Sequence, residues 1–252
     1  MGLFDLLSPV FGAIDGVIDF LPAWLRLTLW ALLASALTMW VYRLFSNQEE
    51  LAELKPQIKS AQAELAKFDG EMSGLWPLIG RSTKLSLRQL RLSLTPALWA
   101  SIPVIFLLVW VAGHFGYYHP EPGTEVDVTI YEAQTELQWR PPAMQEEDRT
   151  YVLWPAQGSN VALYAVGGSE PITTLPFSHP IYVIHKKQWW NWLLANPAGY
   201  IADDAPVEAI YLDLPWQKIQ PFGPSWMQGW EFLFFTVLVA GSLAIKFIFR
   251  IH

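Results

Sequence analysis

AWLRLTLWALLASALTMWVYRLF occupies residues 23–45. As a helix it is long enough to cross the roughly 30 Å hydrocarbon core of a bilayer, which takes about 20 predominantly apolar residues. Two more stretches read the same way: PALWASIPVIFLLVWVAG at 96–113, short for a span, and WEFLFFTVLVAGSLAIKFIF at 230–249. Trp24, Trp40, Trp99, Trp110, Trp226 and Trp230 fall near the ends of these stretches, where indole rings favour the membrane–water interface. The composition agrees. Hydrophobic residues make up 52% and charged residues only 15%, against about 25% charged in soluble domains. The expected fold is therefore membrane α-helical, with three transmembrane helices.

The segment before the first span, residues 1–22, contains Asp5, Asp15 and Asp19 and no Lys or Arg, so it predicts no cleavable signal. Leu6 stands where a myristoylation pattern wants Ser or Thr. Residues 9–21 predict an amphipathic, interfacial helix capped by Ser8, with Pro9 in its first turn. Val10, Phe11, Ile14, Val17, Ile18 and Leu21 share one face, and Asp15 and Asp19 lie opposite. Pro22 separates this helix from the span.

Charge sets the expected orientation. Arg81, Lys84, Arg88 and Arg91 crowd one loop, Arg43 ends the first span, and Lys246 and Arg250 end the third. Residues 114–226 hold thirteen acidic and five basic residues. The positive-inside rule makes residues 46–95 and the short tail that ends 227–252, after the third transmembrane helix, cytoplasmic, with the N-terminus and 114–226 outside. The formal net charge of −7 argues against a nucleic-acid partner. The absence of cysteine excludes disulfides, thiol catalysis and cysteine metal sites.

Residues 46–95 predict a cytoplasmic helical hairpin. Leu51, Leu54, Ile58, Ala61, Leu65 and Phe68 form a coiled-coil-like seam, and Asp69-Gly70 marks a turn. The return arm sets Leu87, Leu90 and Leu94 on one face and the basic Lys84, Arg88 and Arg91 on another. That basic face is open to solvent or to anionic lipid headgroups, where each basic residue contributes about 1 kcal/mol. Pro56 and Pro77 are expected to interrupt or kink these helices.

Residues 114–226 predict an inserted, mainly-β extracytoplasmic domain, a small sandwich with one helix. Val126, Val128 and Ile130 alternate with polar neighbours, and Tyr151–Trp154, Asn160–Val166, Ile181–Ile184 and Ala209–Leu214 are further short runs. KKQWWNWLLA at 186–195 predicts the helix. Its Trp189, Trp190 and Trp192 read first as helix-on-sheet packing, with sugar stacking or headgroup insertion as alternatives.

No catalytic or cofactor motif occurs: no GxSxG, HExxH, Walker loop or GxGxxG. His114, His119 and Glu121 lack a third placed ligand, and His179 and His185 lack a nucleophile, so neither metal nor cofactor is expected. The polar residues inside the spans are more informative: Ser35 and Thr38 in the first, Ser101 in the second, Ser242 in the third. They read either as small-residue helix packing or as a polar groove with Arg43 near its mouth. Arg43 on its own can also simply snorkel.

This order of parts resembles the YidC-type insertase superfamily, and most of all its three-span branch, which includes archaeal YidC-like proteins and the third subunit of the ER membrane protein complex. The likeness rests on WVYRLFSNQEELAELKPQIKSAQAELAKF, on TPALWASIPVIFLLVW, and on PSWMQGWEFLFF with SLAIKFIFRI. It covers about 1–115 and 222–252; the roughly 110 residues between the second and third spans depart from it. The resemblance implies a cytoplasm-facing groove that helps membrane proteins insert, fold or assemble without a nucleotide, with Arg43 as its cation and Met39 as a lining methionine. Three readings of function follow: an insertase-like chaperone of a bacterial inner membrane, a non-catalytic accessory or scaffold subunit of a larger complex, and an extracytoplasmic glycan- or lipid-binding protein. None is an enzyme. The expected partners are the lipid bilayer, including anionic lipid, and other membrane proteins.

Overall fold

The computed structural model describes residues 2–146 and 149–249, with backbone alone at Ser73; Arg250 lies outside the described residues. The chain divides into two compact units, one of Met1–Arg26 with Phe106–Leu233, the other of Leu27–Ile105 with Phe234–His252. Among the described residues three helices are long and apolar enough to cross a membrane, which gives the chain the helices of a multi-pass membrane protein.

In the second unit, α2 (Ala23–Phe45, its first turn in the other unit) is followed by α3 (Gln48–Ala66). Asn47 starts α3: its side-chain oxygen accepts from the Glu50 backbone N–H at 3.2 Å, and Glu49 and Glu50 favour the positive end of the helix dipole. α4 (Met72–Phe115) returns antiparallel to α3, joined to it by Arg88–Glu50 and by Arg81–Glu64 at 3.0 Å. Leu51, Leu54, Ile58 and Ala61 of the expected seam are buried.

The return arm departs from expectation twice. It is not a separate element: α4 runs for 44 residues through Pro77, Pro96 and Pro103, about 66 Å at the helical rise. A proline removes one main-chain donor, and neighbouring elements can absorb that loss; Pro96 is itself fully buried by packing. Pro56 likewise lies within α3. In addition, Leu87, Leu90 and Leu94 are more than half exposed. The leucine stripe faces outward, and Arg88, expected on a free basic face, is held by Glu50 instead.

In the first unit, α1 (Ser8–Val17) follows a short 3-10 turn at Leu3–Asp5. Its N-cap is Leu7, with no side-chain cap, so Ser8 does not play the expected role. Asp15, expected on the exposed face, is 2% exposed, while Val10, Ile14 and Val17 face outward. Aromatic contacts tie this segment to the end of α4: Phe4 meets Phe106 edge-on at 5.2 Å and Phe11 lies against Trp110 at 5.8 Å.

The β region holds two antiparallel sheets, of order β3-β4-β1-β8-β7 and β2-β5-β6. The strands are β1 (Glu125–Tyr131), β2 (Leu137–Arg140), β3 (Met144–Glu146), β4 (Arg149–Leu153), β5 (Val161–Ala165), β6 (Thr173–Leu175), β7 (Val183–His185) and β8 (Ala209–Leu212). Alternation on β1 sends Val126 and Val128 inward, opposite Val152 and Leu212. One core takes residues from both sheets, with Leu163 and Leu175 beside Ile184 and Ile210.

The helix expected at 186–195 is only a 3-10 turn, Trp189–Trp192. Two interactions explain why. Lys186 is held extended, its N–H donating to Glu208 O at 3.1 Å and its ammonium 2.8 Å from the Glu208 carboxylate. Buried Asn191 accepts from Gln188 N–H at 2.6 Å and donates to Leu194 O at 3.0 Å, replacing helical bonds with local side-chain bonds. Trp189 and Trp192 are therefore not packed against the sheet, at 80% and 59% exposed, whereas the Trp190 ring lies against His185 of β7. α5 (Trp230–Ile248) closes the chain.

Candidate functional site: a cationic rim on the helical unit

Small residues let α2 and α5 approach closely. Ala31, Ala34 and Ser35 of α2 are buried. Ser35 Oγ donates to Ala31 O at 2.8 Å and reaches Leu238 O of α5 at 3.0 Å. A Cβ on Gly241 would stand 2.7 Å from Ser35 Oγ, so the approach depends on glycine there. Of the two readings of Ser35, helix packing is the one its geometry fits.

One helical turn further along α2, the same pair of helices opens into a cavity of about 380 Å³. Ala36, Met39 and Trp40 line it from α2, Ile245 from α5, and Phe249 from just beyond. Arg43 is its one charged lining residue among the described residues. Arg43 is exposed and has no acidic partner among the described residues, so its charge is available to whatever occupies the cavity. Phe45 stacks on Trp99 at 5.5 Å nearby in sequence, tying the end of α2 to α4.

The cavity thus gathers two of the groove residues read from sequence, Arg43 and Met39. Thr38 donates to Ala34 O of its own helix at 2.7 Å, and Ser101 to Leu98 O of its own at 2.7 Å. Ser242 is half-buried beside Gly241. None of these three hydroxyl residues lines the cavity. Lys84 and Arg91 are exposed on α4.

The sequence reading missed a polar cluster in the other unit. Asp15 Oδ2 lies 2.9 Å from Arg26 Nη2 and 3.1 Å from His114 Nε2. Arg26 sits over the Phe115 ring at 5.3 Å, and His114 stacks on Trp110 at 4.9 Å. The signal was present as two opposite charges, Asp15 and Arg26, each set in an apolar helical segment. Such charges are costly alone and call for partners. The ring of His119 lies 5.7 Å from Trp154. Burial, with His179 nearby, lowers the pKa of His119. His185 Nδ1 is 2.6 Å from Lys186 O, and its ring rests against Trp190. No group of three metal-capable side chains occurs among the described residues.

Compared with protein-family models, with curated proteins and with solved structures, the chain matches none.

Proposed function

We propose that this chain is an insertase-like protein of a bacterial inner membrane, assisting the insertion, folding or assembly of other membrane proteins through a cytoplasm-facing groove. In this reading residues 46–95 and the C-terminus are cytoplasmic and 114–226 extracytoplasmic, as the loop charges favour. The observation that carries it is the cavity of about 380 Å³ with Arg43 at its rim and Met39, Trp40 and Ile245 in its walls. Apolar, adaptable walls suit entering segments of varied sequence, and methionine re-packs readily. A guanidinium that stays charged at any physiological pH suits their acidic or polar flanks. The dry Ser35 and self-bonded Thr38 narrow the groove to this end of α2.

The test is a photoreactive residue at Ala36 in the full-length protein, with nascent membrane segments supplied by translation in vitro. Crosslinks to several unrelated segments, reduced about fivefold or more in Arg43→Ala, are the expected result. No crosslink to any segment sinks the groove.

A different observation favours a second reading, an accessory or scaffold subunit. Leu87, Leu90, Leu94 and Leu98 form an exposed stripe on α4, and among the described residues of α5 only Phe234 is buried. Apolar stripes of this kind suit permanent cover by partner helices. A single crosslinked partner, indifferent to Arg43→Ala, would decide for it.

A further inference from the structure

A second cavity, of about 260 Å³, lies in the unit that carries the β region. Four aromatic residues, Tyr117, Tyr182, Trp216 and Trp230, line it together with Gln217 and Glu231. We propose that this aromatic box binds an alkylammonium group, the headgroup of a zwitterionic phospholipid or a free quaternary amine.

The walls are fixed. Tyr117 and Trp216 form an antiparallel bridge, tightened by Gln217 N–H donating to Gly116 O at 2.8 Å and Tyr118 N–H to Pro215 O at 3.1 Å. The Gln217 side chain donates to the carbonyls of His114 and Tyr117 at 3.0 and 2.8 Å. Tyr117 and Tyr182 lie ring to ring at 5.3 Å. A Cβ at Gly229 would stand 2.5 Å from Glu231 Oε2 and 3.6 Å from Trp216, so the missing side chain is what lets the carboxylate fold back toward the indole.

The electrostatics select the sign of the ligand. Among the described residues no Lys, Arg or His lines the cavity. Burial, then the Tyr182 phenol and the Glu231 and Asp213 carboxylates, push the Tyr117 hydroxyl above its ordinary pKa. Glu231 sits in the first turn of α5, beside the positive end of the helix dipole. Aromatic faces around a carboxylate attract a poorly hydrated cation through the ring quadrupoles. An anion would meet Glu231 with nothing to offset it.

The depth selects the class. The last turn of α4 and the first turn of α5 both contribute to the site, so it lies where two candidate spans leave their apolar stretches. That is the level of the headgroups. The volume is below the roughly 300–1,000 Å³ of pockets for drug-sized ligands and suits a headgroup rather than an acyl chain.

Equilibrium dialysis of labelled choline against the full-length protein tests this, with the protein held in nanodiscs of phosphatidylglycerol. Saturable binding at constant ionic strength is expected, weakened about tenfold in the isosteric Glu231→Gln and lost in Trp216→Leu, with circular dichroism unchanged. In phosphatidylcholine nanodiscs, loss of choline binding identifies the lipid headgroup as the occupant. Equal binding in both nanodiscs identifies a free amine. Absence of saturable binding in the parent, or parental affinity in folded Glu231→Gln and Trp216→Leu, overturns the assignment.

Discussion

The two ends of α2 each carry an arginine, and the two are treated in opposite ways. Arg26 is largely buried, paired with Asp15 at 2.9 Å and set over the Phe115 ring. Arg43 is exposed beside an apolar cavity and has no acidic partner among the described residues. A charge that is fully partnered contributes to the structure and has little left to offer a ligand. A charge left open beside an apolar cavity contributes little to stability and is available for recognition. The difference is testable because the two arginines occupy the same helix.

The largest effect is expected at the partnered end. Asp15→Ala would leave Arg26 and His114 in place with the carboxylate gone. Breaking a buried pair by removing one partner costs about 3–5 kcal/mol. Thermal unfolding in mild detergent should register this as a marked loss of stability. A variant within about 0.5 kcal/mol of the parent, the range of ordinary surface substitutions, would mean that the cluster is not structural and that the contrast with Arg43 fails.

Why this cluster was not legible in the sequence has a physical answer that applies elsewhere in the chain. The 3.6-residue period correctly placed Asp15 opposite Val10, Ile14 and Val17, and an interfacial helix leaves that apolar set facing outward; what the period did not show is that Asp15 is buried against protein partners while Asp19 stays exposed. In water, apolar faces turn in and acids turn out; beside a bilayer the apolar set can face lipid while the acid seeks protein partners. The period likewise set Leu87, Leu90 and Leu94 on one face without saying what that face meets; they are exposed while Glu50 and Arg88 pair. Period is a property of the sequence, but the solvent outside each face is not. The long apolar stretches were legible because their length alone requires a helix, and Val126 and Val128 were legible because strand alternation fixes an inner face. Asn191 shows the local limit. A single buried amide outweighed the helical pattern around Trp189–Trp192, and nothing in the composition of 186–195 marks that amide as buried.

The α2–α5 contact is expected to be next in size. Gly241→Val would drive new atoms into Ser35, and overpacking costs about 1–3 kcal/mol. Ser35→Ala removes one hydrogen bond, worth about 1 kcal/mol, and also vacates space. The double variant should therefore recover part of what Gly241→Val loses. Unfolding midpoints of the two single variants and the double would show it; strictly additive losses would mean that Ser35 and Gly241 do not share one contact.

On the hairpin, a smaller effect is expected. Arg88 and Glu50 are both at least partly exposed, and an exposed ion pair contributes about 0–1 kcal/mol. Arg88→Ala should lower stability by less than that and lose even this effect at high salt. If it instead unfolds α3 from α4, the buried Leu51, Leu54, Ile58 and Ala61 are not the main attachment.

The smallest effect on stability, and the largest on recognition, is expected at Arg43. No carboxylate is orphaned when its guanidinium is removed, and the side chain is already in contact with solvent. Arg43→Ala should therefore unfold within about 0.5 kcal/mol of the parent, as surface substitutions do. Its effect should appear in the cavity. If the charge draws in the flanks of an entering segment, Arg43→Lys keeps most crosslinking from Ala36 and Arg43→Ala loses most of it. If the planar fork is what binds, to a carboxylate or a lipid phosphate, both variants lose it, because an ammonium is a compact point charge and does not reproduce bidentate geometry. If Arg43 only carries its charge out to the headgroups, neither variant changes crosslinking, and the cavity then works as an apolar surface alone. Measuring stability and crosslinking on the same three proteins separates these outcomes, since a loss of crosslinking without a loss of stability assigns the arginine to the ligand and not to the fold.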